Sequence, residues 1–252
     1  MFVSQVSADR MNEIYDTPAA EGSEAFKPNG HDIVFDHVGF AYDKKDVLQD
    51  VSFTAREGEI TALVGPSGSG KSTCARLAAR LWDVTRGSIK VGGVDISTVD
   101  PEVLLSDYSM VFQDVVLFDD TVMENIRLGK HGADDEEVLA AAKAANCDEF
   151  VRRLPKGYGT PIGENGAKLS GGERQRISIA RALLKDAPIV LLDEATVSWM
   201  SKTETRVQEA LSRQLAGKTV LVIAHRMRTV EAADKIVVLA DGKAAEQGPQ
   251  QS

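Results

Sequence analysis

The sequence predicts an α/β fold in which a parallel sheet carries helices on both faces. Two runs, 188–192 and 219–224, are apolar without alternation, as in strands that are buried on both faces of a sheet. Amphipathic helical patterns accompany these runs at about 171–186 and 202–216. A third apolar run, 60–64, leads into a glycine-rich loop and a further helical pattern, as in a strand–loop–helix unit.

The N-terminal part of the chain predicts a linker followed by an antiparallel β-unit. Residues 1–24 are polar and have the composition of a short helix that runs into a linker. Strand patterns then follow at 33–40 and 47–53, on either side of a polar turn at 43–46. These two strands are expected to pair antiparallel and to lead into the strand at 60–64.

The region after the glycine-rich loop predicts further strands and a short helix. Residues 87–94 have the pattern of a strand and a turn. A helix is expected from Pro101 to Ser106, because proline suits the first turn of a helix. The next strand is predicted at 109–112.

The middle of the chain predicts a helical insertion between residues 114 and 180. Residues from about 121 to 155 have a helical pattern, and the acids 134–137 would lie in the first turn of a helix. Because carboxylates in that turn suit the helix dipole, a cap is favoured there over a metal site.

Composition limits the classes of partner. The net charge of −9 and the isoelectric point near 5.0 argue against a surface for nucleic acid, which needs clustered Lys and Arg. Cys74 and Cys147 have neither ligand spacing nor a disulfide framework, so a reducing cytoplasmic setting is expected. No run approaches the roughly 18 apolar residues that span a bilayer, so any membrane role is expected to act through a partner.

The loop after the strand at 60–64 has the pattern of a phosphate-binding loop: Gly, four residues, then Gly-Lys-Ser. Its residues are Gly65, Pro66, Ser67, Gly68, Ser69, Gly70, Lys71 and Ser72. Glycines there let backbone N–H groups turn toward phosphate oxygens, Lys71 reaches the outer phosphates and the Ser72 hydroxyl ligates Mg²⁺. The helix behind the loop directs its positive end at the same anion. Its predicted buried face consists of Cys74, Leu77, Ala78 and Leu81.

Polar residues that follow the buried strands are candidates for nucleotide chemistry. Asp193 would hold Mg²⁺ and Glu194 would orient or deprotonate water, although an Asp-Glu pair in isolation would suit a helix cap. His225 follows the run at 219–224, so it is expected at the same carboxyl edge. Gln113 follows the strand at 109–112 and could reach Mg²⁺ or the water, whereas by itself it would be a surface glutamine.

The segment 169–175, Leu-Ser-Gly-Gly-Glu-Arg-Gln, resembles the signature motif of ATP-binding cassette proteins. Together with the phosphate loop, Gln113, the segment 189–194 and His225, in the same order as in that family, the resemblance covers the chain from about residue 32. It implies a P-loop NTPase (RecA-like) core with an N-terminal antiparallel β-subdomain and an inserted α-helical subdomain at about 114–180. One ABC ATPase domain would then span residues 25–252.

The resemblance also implies a role for each matching residue. Tyr42 would stack on adenine, and its alternative is a packed strand tyrosine. The loop, with Thr73, would bind the phosphates of ATP. Mg²⁺ would be held by Ser72, Gln113 and Asp193, Glu194 would be the catalytic base and His225 would contact the γ-phosphate. Ser170, Gly171 and Gly172, at a helix start, would bind the ATP held by a second ABC ATPase domain.

A finer resemblance is to exporters, in which the cassette is fused behind a transmembrane domain. Residues 7–18 resemble the segment that joins the last membrane helix to the cassette, and residues 162–166 resemble the loop that touches the membrane domain. The end at 247–252 falls short of the final helix that the family usually has. The expectation is a soluble fragment of a half-transporter at the cytoplasmic face of a membrane. An importer ATPase subunit shares every nucleotide motif and stays an alternative.

The sequence departs from the family after Glu194. The family usually has a small residue, Ser or Ala, an aliphatic residue and an Asp after the segment 194–196, whereas Val197, Ser198, Trp199 and Met200 stand here. A methionine cannot accept the hydrogen bonds of that aspartate. We therefore expect slowed ATP hydrolysis, with a weakly hydrolysing partner cassette of a heteromeric transporter as the alternative. A chromosome or repair ATPase would carry a long coiled-coil insertion before the signature, and the sequence has none.

Overall fold

The computed structural model describes residues 22–43, 45–112, 115–193, 215–224, 230 and 233–249. The strands within these residues are β1 Ile33–Tyr42, β2 Lys45–Ala55, β3 Ile60–Val64, β4 Arg86–Val91, β5 Val94–Asp95, β6 Tyr108–Val111, β7 Ile189–Asp193, β8 Thr219–Ile223, β9 Lys235–Ala240 and β10 Lys243–Pro249. The α-helices are α1 Lys71–Ala78, α2 Pro101–Ser106, α3 Val122–Arg127, α4 Asp135–Ala144, α5 Asp148–Val151 and α6 Gly171–Lys185. Short 3₁₀ turns lie at Ile96–Thr98, Gly157–Gly159 and Glu164–Gly166.

The described strands form one mixed sheet in the order β5-β4-β1-β2-β10-β9-β3-β8-β7-β6. At one end, β1 pairs antiparallel with both β2 and β4, which confirms the predicted antiparallel β-unit. At the other end, β9, β3, β8, β7 and β6 run parallel. The predicted strand at 109–112 lies one residue earlier, at Tyr108–Val111.

The parallel strands are buried on both faces, as their apolar sequences predict. Along β7, Ile189 and Leu191 pack with the antiparallel unit and α1, while Val190 and Leu192 pack against the helices α3 to α6. Successive side chains of a strand point to opposite faces, so one continuous apolar run supplies two cores. This arrangement explains why β7 and β8 show no polar alternation.

The helix behind the glycine-rich loop is shorter than its apolar pattern predicts. Cys74, Leu77 and Ala78 are fully buried, but Leu81 is 43% exposed, so its assignment to the buried face was wrong. Helix α1 ends at Ala78, and Arg80 takes a left-handed conformation with φ of 50°. Leu81 therefore follows a turn and no longer shares the helical spacing.

The predicted helical insertion is present as α3, α4 and α5, which pack with the signature helix α6 in one apolar cluster. Asp134 caps α4 in a capping box with Glu137, whose backbone N–H lies 2.9 Å from the Asp134 carboxylate. The acids at 134–137 thus form the predicted cap. Among the described residues, no group of three or more His, Cys, Asp or Glu side chains could hold a metal ion.

Two predictions fall largely on undescribed parts of the chain. Of the helix expected at 202–216, the structure describes residues 215 and 216 alone, and of the linker at 1–24 it describes residues 22–24. No helix in the described ranges is long and apolar enough to cross a bilayer. The domain boundaries stay predictions.

The hairpin of β9 and β10 is a feature that the sequence analysis did not assign. It lies between β2 and β3 and so joins the antiparallel unit to the parallel strands. β9 pairs parallel with β3, and β10 pairs with β2 at Lys243 and Asp50. The turn of this hairpin, Asp241–Gly242, is therefore at the same edge of the sheet as the glycine-rich loop.

Candidate functional site

The glycine-rich loop joins the carboxyl end of β3 to the start of α1, and glycines are required at two of its positions. Gly65 has a φ of 147° and Gly70 a φ of 100°, conformations that side-chain-bearing residues rarely adopt. A Cβ on Gly65 would lie 2.1 Å from the carbonyl oxygen of Leu239, and one on Gly70 would lie 2.4 Å from the Cδ2 atom of Leu48. The loop therefore fits closely between the strands behind it.

Lys71 begins α1 and turns its side chain back into the loop. Its ammonium donates hydrogen bonds to the carbonyl oxygens of Gly65 and Pro66, both at 2.8 Å, and lies 3.5 Å from the Ser69 hydroxyl. The residue is only 4% exposed. Burial lowers the pKa of Lys71, and the nearby charge of Asp193 partly opposes that shift. The loop thus encloses a cation, which suits it to bind an anion.

A cavity of about 570 Å³ opens over this loop. Its size lies within the usual range for sites that bind small molecules and cofactors. The lining residues come from β1, β2, the loop, α1 and the β9–β10 turn: Tyr42, Lys45, Asp46, Val47, Gln49, Ser67, Gly68, Gly70, Lys71, Ser72, Thr73, Asp241 and Gly242. The structure therefore brings the predicted adenine contact and most of the predicted phosphate contacts to one cavity.

Tyr42 lies at the end of β1 in an aromatic cluster. Its ring packs edge-on against Phe40, with centroids 4.7 Å apart, and against Trp82 at 5.5 Å. Aromatic pairs favour such edge-to-face geometry, which fixes the position of the ring. A half-buried tyrosine that lines the cavity can stack on a planar base.

The residues predicted to hold Mg²⁺ offer hard oxygen donors. Ser72 lines the cavity, and Asp193 ends β7, two strands away from β3 in the sheet. Mg²⁺ is commonly held by one or two protein oxygens together with substrate phosphates and water, so this donor set fits that ion. Gln113, Glu194 and His225 lie outside the described residues, and their roles stay predictions.

The signature residues are placed at the start of α6. Ser170 caps this helix in a capping box with Glu173, whose carboxylate lies 2.8 Å from both the backbone nitrogen and the hydroxyl of Ser170. Partial burial opposes ionisation of Glu173, but these hydrogen bonds and the charges of Arg153 and Arg176 lower its pKa.

Ser170, Gly171 and Gly172 are exposed, and none of them lines the cavity over the glycine-rich loop. A Cβ added to either glycine would meet no atom within 4 Å. The open helix start can therefore accept a ligand or another molecule, and the structure does not bring it to the chain's own phosphate loop.

Asp241 is a cavity residue that the sequence analysis missed, although a signal for it exists. It follows the largely apolar strand β9, as Glu194 follows β7 and His225 follows the run at 219–224. The rule that polar residues after parallel strands face the ligand would have selected Asp241 once β9 was recognised.

Comparisons with known proteins match the chain to one family model and to several relatives. A family model described as ABC transporter matches residues 48–197. The chain is 51% identical over 212 residues to the ATP-dependent lipid A-core flippase of Syntrophus aciditrophicus, covering 84% of this chain and 35% of the flippase. It is 48% identical over 238 residues to ATP-binding cassette sub-family B member 6 of Xenopus tropicalis, covering 94% of this chain and 28% of that protein.

A solved structure of a bacterial Atm1-family ABC exporter with ATP bound resembles the fold with a TM-score of 0.86 and 40% sequence identity. The match covers 97% of this chain and 44% of the exporter chain. The chain thus spans about a third of the length of the two relatives and less than half of the exporter.

Proposed function

Because the chain belongs to the ABC transporter family, we propose that it binds and hydrolyses ATP to drive export across a membrane as one part of a larger transporter. The family match and the exporter structure confirm the predicted P-loop NTPase fold and the predicted enzyme class, an ABC-type ATPase. The choice of transported substrate is proposed to depend on other parts of the transporter.

The observation that carries this proposal is the cavity between Tyr42 and the enclosed Lys71 ammonium. ATP has a planar base at one end and a chain of phosphates at the other. A tyrosine ring that lines the cavity supports stacking on the base, and the buried cation at the loop supports binding of the phosphates. The volume of about 570 Å³ is sufficient for a nucleotide.

The catalytic roles are proposed from position at the carboxyl edge of the sheet. Lys71 holds the outer phosphates, while Ser72, Asp193 and Gln113 would hold Mg²⁺, which would neutralise charge on the phosphates. Glu194 orients and deprotonates the attacking water, and His225 contacts the γ-phosphate. Asp193 is close enough to Lys71 to influence its pKa, which supports a shared site for the metal and the phosphates.

A second cassette is proposed to complete each site. The signature residues Ser170, Gly171 and Gly172 are exposed and lie outside the chain's own cavity. Two chains that face each other would place this open helix start on the ATP held by the other, so that two ATP molecules lie between two cassettes. A helix N-terminus with free backbone N–H groups suits a phosphate of the opposite nucleotide.

A transmembrane domain is the second proposed partner. The relatives include a flippase and an exporter, and this chain spans only a part of each. The presence of a flippase and an exporter among these relatives supports export over import. A location at the cytoplasmic face of a membrane follows from the same proposal.

Sedimentation of the Glu194→Gln variant tests the proposed dimer. This change removes the base but keeps the shape of the side chain, so Mg²⁺-ATP should convert the chain from monomer to dimer without turnover. Glu102→Gln is the matched control, since Glu102 is an exposed residue of α2. The Glu102→Gln chain should still hydrolyse ATP and should return to a monomer after each round of hydrolysis. A Glu194→Gln chain that binds ATP and remains a monomer would contradict the proposed dimerisation.

A weakly hydrolysing partner cassette is the second candidate, because Met200 stands where the family usually has an aspartate. In that case, the chain would bind ATP and form a mixed pair with a different cassette. The lack of a carboxylate at position 200 supports this candidate, since a thioether cannot accept the hydrogen bonds of the aspartate.

A further inference from the structure

One wall of the cavity has no part in the roles proposed above: the turn Asp241–Gly242 between β9 and β10. β9 pairs parallel with β3 and lies on the side of β3 away from β8 and β7. Its carboxyl end therefore reaches the ligand-binding edge of the sheet beside the phosphate loop. Asp241 is the first residue after β9 and lines the cavity.

The turn is held in place by contacts with β2. The backbone N–H of Gln49 donates a hydrogen bond of 2.8 Å to the carbonyl oxygen of Gly242. Gly242 has a φ of 72°, and a Cβ there would lie 2.6 Å from the carbonyl oxygen of Val47. The turn therefore packs closely against the backbone of β2 and is hydrogen-bonded to it, which fixes the position of Asp241.

These contacts place the turn level with the middle of the proposed nucleotide. Tyr42, the proposed base contact, pairs with Lys45 at the tip of the β1–β2 hairpin. Further along β2, the Leu48 side chain packs directly on Gly70 of the phosphate loop. The segment 47–49, against which the turn packs, thus lies between the base and the phosphates, where a nucleotide has its sugar.

The chemistry of Asp241 suits a sugar and not a phosphate. A carboxylate only accepts hydrogen bonds, so its ligand partner must be a donor. The phosphates of ATP carry negative charge, which a carboxylate repels, whereas ribose offers two hydroxyl donors. Asp241 is exposed and forms no hydrogen bond or ion pair with any residue that the structure describes.

We propose that Asp241 is a specificity residue that accepts a hydrogen bond from the ribose hydroxyls of the bound nucleotide. This inference rests on the proposed binding of ATP in the cavity. Nucleotides that lack both hydroxyls should then bind about tenfold more weakly than ATP, because a hydrogen bond to a charged acceptor is lost.

Calorimetric titration of the chain with ATP and with 2′,3′-dideoxy-ATP, in EDTA so that no turnover occurs, tests the proposal. Asp241→Gly removes the carboxylate and tolerates the left-handed backbone at this position, where φ is 49°. Asp241→Asn is the second variant, since asparagine also tolerates that conformation and keeps the size of the side chain. Circular dichroism checks that each variant is folded.

Asp186→Gly is the matched control. Asp186 is also a left-handed aspartate, with a φ of 52°, but it follows α6 at the opposite edge of the sheet and pairs with Lys218. The wild-type chain and Asp186→Gly should prefer ATP about tenfold over the dideoxy compound. Asp241→Gly should bind both equally, and Asp241→Asn should show a reduced preference.

An Asp241→Gly chain that keeps the full preference would overturn the proposal, and so would a wild-type chain that binds both nucleotides equally. A wild-type chain that binds neither nucleotide would instead refute the proposed ATP site itself. The two failures are therefore distinguishable in one set of titrations.

Discussion

Gly65 lies directly against the backbone of Leu239: a Cβ on Gly65 would be 2.1 Å from the Leu239 carbonyl oxygen. This contact joins the phosphate loop to β9, the strand that runs parallel to β3. Because backbone atoms cannot give way as a flexible side chain does, the start of the loop has room for glycine alone. The geometry of the loop therefore depends on a strand that is distant in sequence.

Gly65→Ala should destabilise the chain by roughly 2 to 4 kcal/mol, since it combines a backbone clash with a conformation that is nearly restricted to glycine. Urea unfolding monitored by circular dichroism measures the change. Gly68→Ala is the control within the same loop: its φ is 81°, but no atom lies within 4 Å of the added Cβ. The free energy of unfolding of that variant should fall by only about 1 kcal/mol. Equal losses in the two variants would contradict the importance of the contact with Leu239.

As the pH is raised, the affinity for ATP should begin to fall at a lower pH than it would if Lys71 had the pKa of an ordinary lysine. Burial lowers the pKa of Lys71 from its usual 10.5, and phosphate binding requires the ammonium form. The dissociation constant should therefore rise between neutral pH and about pH 10, as measured by calorimetric titration. Tyr42→Phe is the control, because it removes the hydroxyl group of the other proposed contact in the cavity. A fall that disappears in that variant would assign the effect to the tyrosine.

The same lowered pKa has the opposite effect on folding. The unfolded chain binds the Lys71 proton more tightly than the folded chain, so the contribution of this group to the free energy of unfolding rises with pH. The rise occurs between the lowered pKa and the ordinary value of 10.5. The ATP-free chain should thus gain stability from this group in the interval in which it loses affinity for ATP.

Ser170→Ala should reduce both stability and turnover. The loss of the helix cap should cost about 1 kcal/mol, and the loss of the proposed contact with the second ATP should slow hydrolysis. Asp134→Ala provides a matched control, because Asp134 forms a capping box at α4 of the same kind as the one at α6. It should lose similar stability and keep the rate of hydrolysis. If both variants slowed equally, Ser170 would act through helix stability alone.

Met200→Asp should raise the rate of ATP hydrolysis if the residue limits turnover, because the change restores the carboxylate that the family usually has at this position. The measurement is the steady-state release of phosphate by wild type and variant at equal concentration. The control is Val116→Asp, a matched hydrophobic-to-acid change at an exposed residue. Met123 is unsuitable for this purpose because it packs against the helical core. An unchanged rate in Met200→Asp would remove this explanation for slow turnover.

The sequence predicted the parts of the fold that local patterns encode. β7 and β8 were found because their unbroken apolar runs are typical of strands in the middle of a parallel sheet. The phosphate loop and the capped helices α4 and α6 were found because each has a specific pattern of glycine, serine or acidic residues. The family match and the exporter structure confirmed the fold class that these patterns predicted.

The hairpin of β9 and β10 shows why the remainder could not be predicted in this way. β10 has no β-branched or aromatic residue and contains Gly248 and Pro249, so its sequence resembles a turn more than a strand. Its place beside β2 depends on pairing between Lys243 and Asp50, far apart in the sequence. Asp241 and Gly242 were missed with it, because no local pattern relates them to the phosphate loop.

The end of α1 was mispredicted for a different reason. No glycine or proline marks the stop, and the chain turns at Arg80, an arginine in a left-handed conformation. An arginine in the left-handed conformation is uncommon, and no pattern in the sequence indicates that the helix ends before it. The exposed position of Leu81 is therefore visible only in the structure.

The most direct test of the central proposal is steady-state ATP hydrolysis by this chain over a series of protein concentrations, with Glu194→Gln measured alongside. Two cassettes that share each ATP predict a turnover per molecule that rises with concentration and disappears in the variant. A turnover per molecule that is independent of concentration, or one that survives in Glu194→Gln, would contradict ATP hydrolysis at an interface between two chains.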